Sequence, residues 1–432
     1  MIGAVDDEGR ATRVRLLAPL RFRDFRLMWT GMTLSLLGDG VLLVALPWQA
    51  YQLSNRPAAM SLVGVALTVP QVVLVLFGGV VSDRLDRRRL MLAADIVRGA
   101  SLGVLATLSI TGALELWHMV VFAVVYGAAS AFFMPAFEAL VPRLVPEDFL
   151  TEANALDQFV RPAMLWLLGP ALGGVLIGTT GAGWAFGLDA ATFGASALCL
   201  LRLTRIPSEE SEPLTVRAAI TELREGLTFV RSKPWLWASF LAASLTYLLF
   251  LGPTEVLLPY LVKNDLGGGA RDLGLILAAG GVAALAAAFV VGQTGLPRRT
   301  MTFIYLAWAF ATLSVAGYGL AHTRWQAMGA AALISGFEAL GAVAWTTTKQ
   351  RLIPGALLGR VSSFDWFISI SLVPVSYAVT APVAAALGTR ETLVGAGVLG
   401  ALVTLGFLFV PGVRDPDHPH VVAERDIAAV PT

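Results

Sequence analysis

Four carboxylates stand where a chain can least tolerate them. Asp39, Glu138, Glu255 and Glu338 lie inside long apolar stretches, and a carboxylate at the centre of a membrane helix costs about 2.5–3.5 kcal/mol on insertion scales. Such a residue calls for a task. A carboxyl in a partly dry cavity can take a proton from one side of a barrier and release it when access switches or a cationic solute arrives. Asp39 and Glu338 fall near the middle of their stretches and are the natural proton sites. Glu138 lies near one end of its stretch and Glu255 near the other, so both read as gate or secondary positions, Glu255 also as a substrate contact. For Asp39 a second reading stands beside the first: a side chain bonding backbone at a kink next to Gly38 and Gly40.

Two other intramembrane acids have bases at helical spacing. Asp95 and Arg98 are three apart, Asp157 and Arg161 four apart, and each spacing puts the partners on one helix face. They read as structural pairs, with Asp157 also a gate candidate. Asp365 repeats Asp157, but Ser369 stands where its base would be, leaving it an unpaired gate residue. No base is expected opposite Asp39, Glu138, Glu255 and Glu338 on the stretches that carry them. With Trp48, Phe133, Met134, Tyr247, Phe250, Trp308 and Trp345, that absence points to a bulky, amphipathic, cationic solute, although aromatics in membrane spans also serve plain packing.

What positions these groups follows from composition. The 432 residues are 56% hydrophobic and 14% charged, against about 25% charged in globular domains, and the mean hydropathy is +0.72. Apolar runs of about 20 residues, each long enough to cross a hydrocarbon layer, recur along the chain. They predict twelve helices at 27–53, 60–81, 90–111, 117–140, 158–180, 183–203, 236–262, 272–293, 301–320, 325–347, 362–387 and 392–411, an all-α polytopic membrane protein. With the amino terminus inside, only Arg56, Lys263, Arg271, Arg324 and Arg390 of the basic residues fall on the outer side, while Arg98 and Arg161 lie within spans. That bias puts both termini in the cytoplasm.

Residues 1–26 form a basic arm, and the first apolar run is too long for a signal-peptide core. Segment 204–235 divides the chain into six-span halves, 27–203 and 236–411, and ends in an amphipathic helix on the membrane surface. Residues 412–432 read as a disordered tail. The halves look duplicated: Arg143–Phe159 and Arg351–Phe367, 208 positions apart, share Arg, Leu, Pro, Leu, Asp and Phe without a gap.

A net charge of +1 gives no argument for nucleic acid. The single Cys199 excludes an internal disulfide, and of the four histidines three lie outside the spans and His118 stands at the very start of one, so no metal or other cofactor is expected. No His-Glu-x-x-His, nucleophile elbow or phosphate-cradling loop appears in context, and the chain does not read as an enzyme.

After the uncharged run Met60–Phe77 comes "GGVVSDRLDRRRL", between spans 2 and 3. A stop-transfer cluster accounts for its arginines but leaves Asp83 and Asp86 unexplained. Gly79, Asp83, Arg84, Arg87, Arg88 and Arg89 resemble the loop between helices 2 and 3 of the major facilitator superfamily, Gly-x-x-x-Asp-Arg-x-Gly-x-Arg-Arg, with Asp86 where Gly is commoner. The resemblance implies a cytoplasmic charge latch with Asp83 as its acid. In the second half "GQTGLPRRTM" keeps Arg298 and Arg299 but no such acid.

In span 5 "GPALGG" (Gly169, Pro170, Gly173, Gly174) is similar to the motif marking the drug:proton antiporter branch; generic small-residue packing is the other reading. The phrases "GDGVLLVALPWQAYQLS", "AFFMPAFEALVPRLVPEDFLTEANAL" and "EGLTFVRSKPWL" resemble twelve-helix exporters that include macrolide efflux and enterobactin export proteins. The resemblance implies two pseudo-symmetric six-helix bundles, with helices 1, 4, 7 and 10 around a central cavity. Many drug antiporters carry an Arg four residues before the Gly that matches Gly127; here Ala123 stands there, so coupling through that Arg cannot apply. The function expected is proton-driven export of a hydrophobic or amphipathic small molecule by a monomer in the bacterial cytoplasmic membrane. An uncoupled facilitator, a lysophospholipid mover and a non-transporting scaffold or sensor are the alternatives.

Overall fold

The computed structural model describes residues 15–84, 86–204 and 216–417, leaving out the side chains of 15–16, 76–84, 135, 138, 139, 142, 147, 151, 216–223 and 356. Among the described residues, twelve helices are long and apolar enough to cross a membrane. Spans 1–6 are Arg23–Leu53, Pro57–Arg84, Arg87–Ile110, Leu116–Leu140, Glu152–Thr180 and Ala182–Leu201. Spans 7–12 are Pro234–Asn264, Ala270–Thr294, Thr300–Leu320, Arg324–Leu352, Leu357–Leu387 and Thr389–Leu408.

Several spans outrun the predicted apolar stretch at the end that carries the chain termini. Span 5 begins at Glu152 and span 10 runs on to Leu352, because helical hydrogen bonding continues through amphipathic turns after continuous apolarity has stopped.

The bundle halves repeat one packing plan. In the first, span 1 packs on spans 5 and 6, span 2 on span 4, and span 3 on spans 4 and 6; in the second, span 7 packs on 11 and 12, span 8 on 10, and span 9 on 10 and 12. The contacts between halves obey the same exchange, span 2 meeting span 11 and span 5 meeting span 8. Two hairpins opposite the termini close through single glycines, Gly181 at φ +94° and Gly388 at φ +104°, a backbone region that a side chain would strain. The pseudo-symmetry therefore reaches individual turns.

Side chains on the outside are apolar where lipid would lie. Trp117, Trp184 and Trp325, 57–66% exposed, sit at the first turns of spans 4, 6 and 10, all at the end away from the termini, as an interfacial aromatic belt does.

The two ends differ in how the bundles meet. Away from the termini one hydrophobic core runs through both halves, joining Val41, Tyr51 and Val63 to Val256, Leu273 and Tyr377. At the termini end the core divides into one around Phe25, Met91 and Leu156 and another around Trp235, Met301 and Val361. The far end is closed, and the bundles separate toward the termini.

Small peripheral pieces cap this frame. Helix Val216–Ser232 packs on span 11, with Gly226 against Phe364 and Glu225 bonded to Arg360 at 3.0 Å; of the expected linker, 205–215 lie outside the described residues. The reading of 412–432 as disordered is corrected for its first part: the Asp417 carboxylate accepts from the Met301 and Thr302 amides at 2.7 and 3.1 Å and from the Thr302 hydroxyl at 2.7 Å. The free amides at the start of span 9 need an acceptor, and the tail delivers it.

Candidate functional site between the bundles

Asp39 and Glu338 stand at the midpoints of spans 1 and 10. Glu338 is exposed, although it lies deep inside the protein and within reach of the charge of Glu255. No hydrogen bond or ion pair to it exists among the described residues. An accessible, unpaired carboxyl at mid-span, facing the interior, is the arrangement a proton carrier requires.

Asp39 sits differently. It is half-buried and accepts a hydrogen bond from the Tyr126 hydroxyl of span 4. Behind it Arg98 donates to Asp95 at 2.5 Å, Ser196 bonds the other Asp95 oxygen at 2.6 Å, and the guanidinium lies 4.4 Å from the ring centres of both Phe133 and Phe193. Arg98 is thus bonded to its own acid and held between two aromatic faces; the hydrogen bond to Asp39 comes from a neutral donor, while Asp39 still lies within reach of the Arg98 charge. Span 1 comes close enough to span 6 for this because of Gly38, where a Cβ would collide with Asp189 and Thr192.

Glu255 lies in a π-helical turn of span 7, Pro253–Leu257, and accepts from the Tyr377 hydroxyl of span 11. The Tyr377 ring packs directly on Gly64 of span 2, in the other bundle. Nearby, Tyr51 donates to the Val256 carbonyl at 2.6 Å, Lys263 to the Tyr51 carbonyl, and Asn55 to Asn264 at 2.6 Å. These contacts join the bundles beside Glu255.

The span 5 motif is part of the same seal. Gly169 faces Gly40 of span 1, backbone to backbone; a Cβ on Gly174 would come within 2.9 Å of the Ala270 carbonyl and 3.0 Å of Gly274, both on span 8. One face of the motif packs its own bundle and the other packs the opposite one. Pro170 cannot donate to the Trp166 carbonyl, the turn Ala163–Leu168 widens to a π-helix, and a Cβ on Gly281 of span 8 would lie 2.5 Å from that carbonyl.

Toward the termini the acids are paired. Arg161 donates to Asp157 at 3.1 Å. The expectation that Asp365 has no base is wrong: Lys349 of span 10 lies 2.5 Å from it, and Trp345 and Ser369 also donate to it, at 2.8 and 3.3 Å. The same lysine corrects the expectation of no base on the cavity helices. Spacing along one helix could not show a partner on the next. Among the cavity candidates, Phe133 and Trp345 are buried in the cores of their own bundles and Trp48 in the core that both bundles share, whereas Met134, Tyr247, Phe250 and Trp308 keep accessible surface.

The side chains of Gly79, Asp83, Arg84 and Glu138 lie outside the described residues. Asp86, the departure from the loop pattern, caps span 3 by accepting from the Arg89 amide at 3.0 Å. Arg88 donates to the Leu200 and Leu201 carbonyls at 2.6 and 2.7 Å, closing the end of span 6. Arg87 is also engaged. Sequence reasoning passed over Tyr126, Asp189, Lys349 and Tyr377; a search for every ionisable group inside a span would have found Asp189.

A family model described as a transmembrane secretion effector, of the major facilitator type, matches residues 14–418. The chain belongs to that family. It is 26% identical over 393 residues to the multidrug efflux pump Tap of Mycolicibacterium fortuitum, covering 88% of this chain and 94% of the pump. It is 26% identical over 343 residues to the enterobactin exporter EntS of Citrobacter koseri, covering 78% and 80% of the two chains. Among solved structures, a bacterial homologue of the iron transporter ferroportin superposes with a TM-score of 0.66 at 17% identity over 90% of this chain and 98% of that one. This secretion effector is thus a transporter rather than an enzyme, and its relatives include efflux pumps.

Proposed function

We propose that this protein exports a hydrophobic or amphipathic small molecule across the bacterial cytoplasmic membrane by proton antiport, with both termini in the cytoplasm. The observation that carries the reading is Glu338, accessible and unpaired at mid-span between bundles whose cores are fused at one end and divided at the other.

Such a frame works by rocking. With the termini inside, the divided end opens to the cytoplasm and admits solute among Met134, Tyr247, Phe250 and Trp308. Separation of Gly174 from Gly274 and of Gly64 from Tyr377 would then open the outer end, with Glu255 as the gate acid. Glu338 and Asp39 load protons from outside and release them inside, and Asp157 and Asp365 guard the inner end. In this scheme the loop from Gly79 through Arg89 latches the cytoplasmic ends when they close.

The test is a pH jump on proteoliposomes using ethidium as the probe. Acidifying the side opposite the termini should drive dye toward that side, and Glu338→Gln or Asp39→Asn should slow this flux at least about tenfold with the protein still folded. Dye flux indifferent to the jump would replace antiport with uncoupled facilitation. Full coupled flux in both variants would remove the two acids from the scheme.

A further inference from the structure

Asp189 of span 6 is fully buried, at 0% exposure, and its Oδ2 has no hydrogen-bond partner among the described residues. The groups around it are those of four packed helices: Asp39 on span 1, Asp95 and Arg98 on span 3, Tyr126 on span 4 and Thr192 on its own span. Each of the other acids has a partner for its charge or a donor, and of Arg98 only Nε stays without an acceptor among the described residues. Asp95 holds Arg98 and the Ser196 hydroxyl, and Asp39 receives the Tyr126 hydroxyl. Asp189 is left with Thr192, whose hydroxyl sits 2.7 Å from the Asp189 backbone carbonyl and 3.2 Å from Oδ1. One hydroxyl shared with a carbonyl cannot compensate a dry carboxylate, whose desolvation costs several kcal/mol.

We propose that Asp189 carries a proton and exchanges it with Asp39, so that the first bundle's proton site is a pair of acids rather than Asp39 alone. Asp189 lies against Gly38, the neighbour of Asp39. In the exchange the O–H bond at Asp189 Oδ2 breaks, an O–H bond forms on the ionised Asp39 carboxylate, and the negative charge passes from span 1 to span 6. Proton number is conserved, and the charge crosses the contact between two helices. Asp189 lies within reach of the charge of Asp39, and acids that interact in this way give up their protons as a unit. The use of the pair in transport rests on the antiport reading; the bound proton does not.

The experiment is infrared difference spectroscopy between neutral and alkaline pH, on the full chain in phosphatidylethanolamine–phosphatidylglycerol vesicles without solute. The expected result is a protonated-carboxyl band that loses a component in Asp189→Asn and shifts in both Asp39→Asn and Thr192→Val. The last variant removes the one hydroxyl bonded to the carboxyl and leaves the acid in place, so it decides the matter even if Asp189→Asn fails to fold. A band unmoved by Thr192→Val, or intact in folded Asp189→Asn, overturns the proposal. Ethidium flux in parallel separates the two claims: the band with its shifts but no pH-driven flux sinks antiport and keeps the Asp189 proton, whereas coupled flux without the Asp189 component does the reverse.

Discussion

Spans 3 and 9 hold equivalent places in their bundles, and each begins with an aspartate bonded to its first free amides. For span 3 the cap is Asp86, from the loop just before it; for span 9 it is Asp417, which reaches back from beyond the last span. Their interiors differ more. Span 3 buries the Asp95–Arg98 pair between two phenylalanines, while span 9 has no Asp, Glu, Lys or Arg between Thr300 and Leu320. Span 9 instead satisfies Tyr305 with the Ser239 hydroxyl at 2.8 Å and sets Trp308 against Trp345. The two bundles share helix lengths, turns and packing order, yet one core is held by charge and the other by rings. The frame repeats because helix packing asks only for complementary surfaces, and either solution leaves few polar groups unpaired.

If that contrast is real, Arg98→Met should be the most damaging change, costing about 3–5 kcal/mol by stranding Asp95 in the core, as read by denaturant unfolding in detergent. Tyr305→Phe at the matching place should cost only about 0.5–1.5 kcal/mol. Equal losses would erase the distinction.

The seam between the bundles comes next. Gly64→Leu drives a side chain into the Tyr377 ring, and overpacking of this kind costs about 1–3 kcal/mol. Its expected readout is loss of the disulfide that Asn55→Cys and Asn264→Cys would otherwise form in a Cys199→Ser background. Undiminished cross-linking would mean the seam does not depend on that contact.

The smallest effect belongs to the caps, at about 1 kcal/mol each. Asp417→Asn should speed amide exchange at Met301 and Thr302, and truncation after residue 411 should speed it equally. Asp86→Ala should disturb the Arg89 amide alone. A truncation without effect on span 9 would show that Asp417 is not its working cap.

Membrane helices are legible because water is absent from the bilayer: each span must be continuously apolar, which writes its position into composition. Repeat and linker followed from the Arg143 and Arg351 segments and the polar run after span 6. The site was legible only in part. Asp39, Glu255 and Glu338 could be named because ionisable groups in apolar runs are conspicuous, and Asp95–Arg98 and Asp157–Arg161 because helical spacing joins them. Lys349 looked like an ordinary loop charge until the helix proved to run through it.

Sequence alone thus determined twelve helices, their duplication and which costly groups they carry, since lipid imposes those terms residue by residue. Tertiary structure alone decided that Asp365 has a lysine, that Tyr126 and Tyr377 hold Asp39 and Glu255, that Glu338 stands unpaired and that Asp189 lies dry against Gly38. Partners on different helices are set by how the helices cross, and the crossing depends on contacts between residues as far apart as Gly64 and Tyr377 or Gly174 and Gly274.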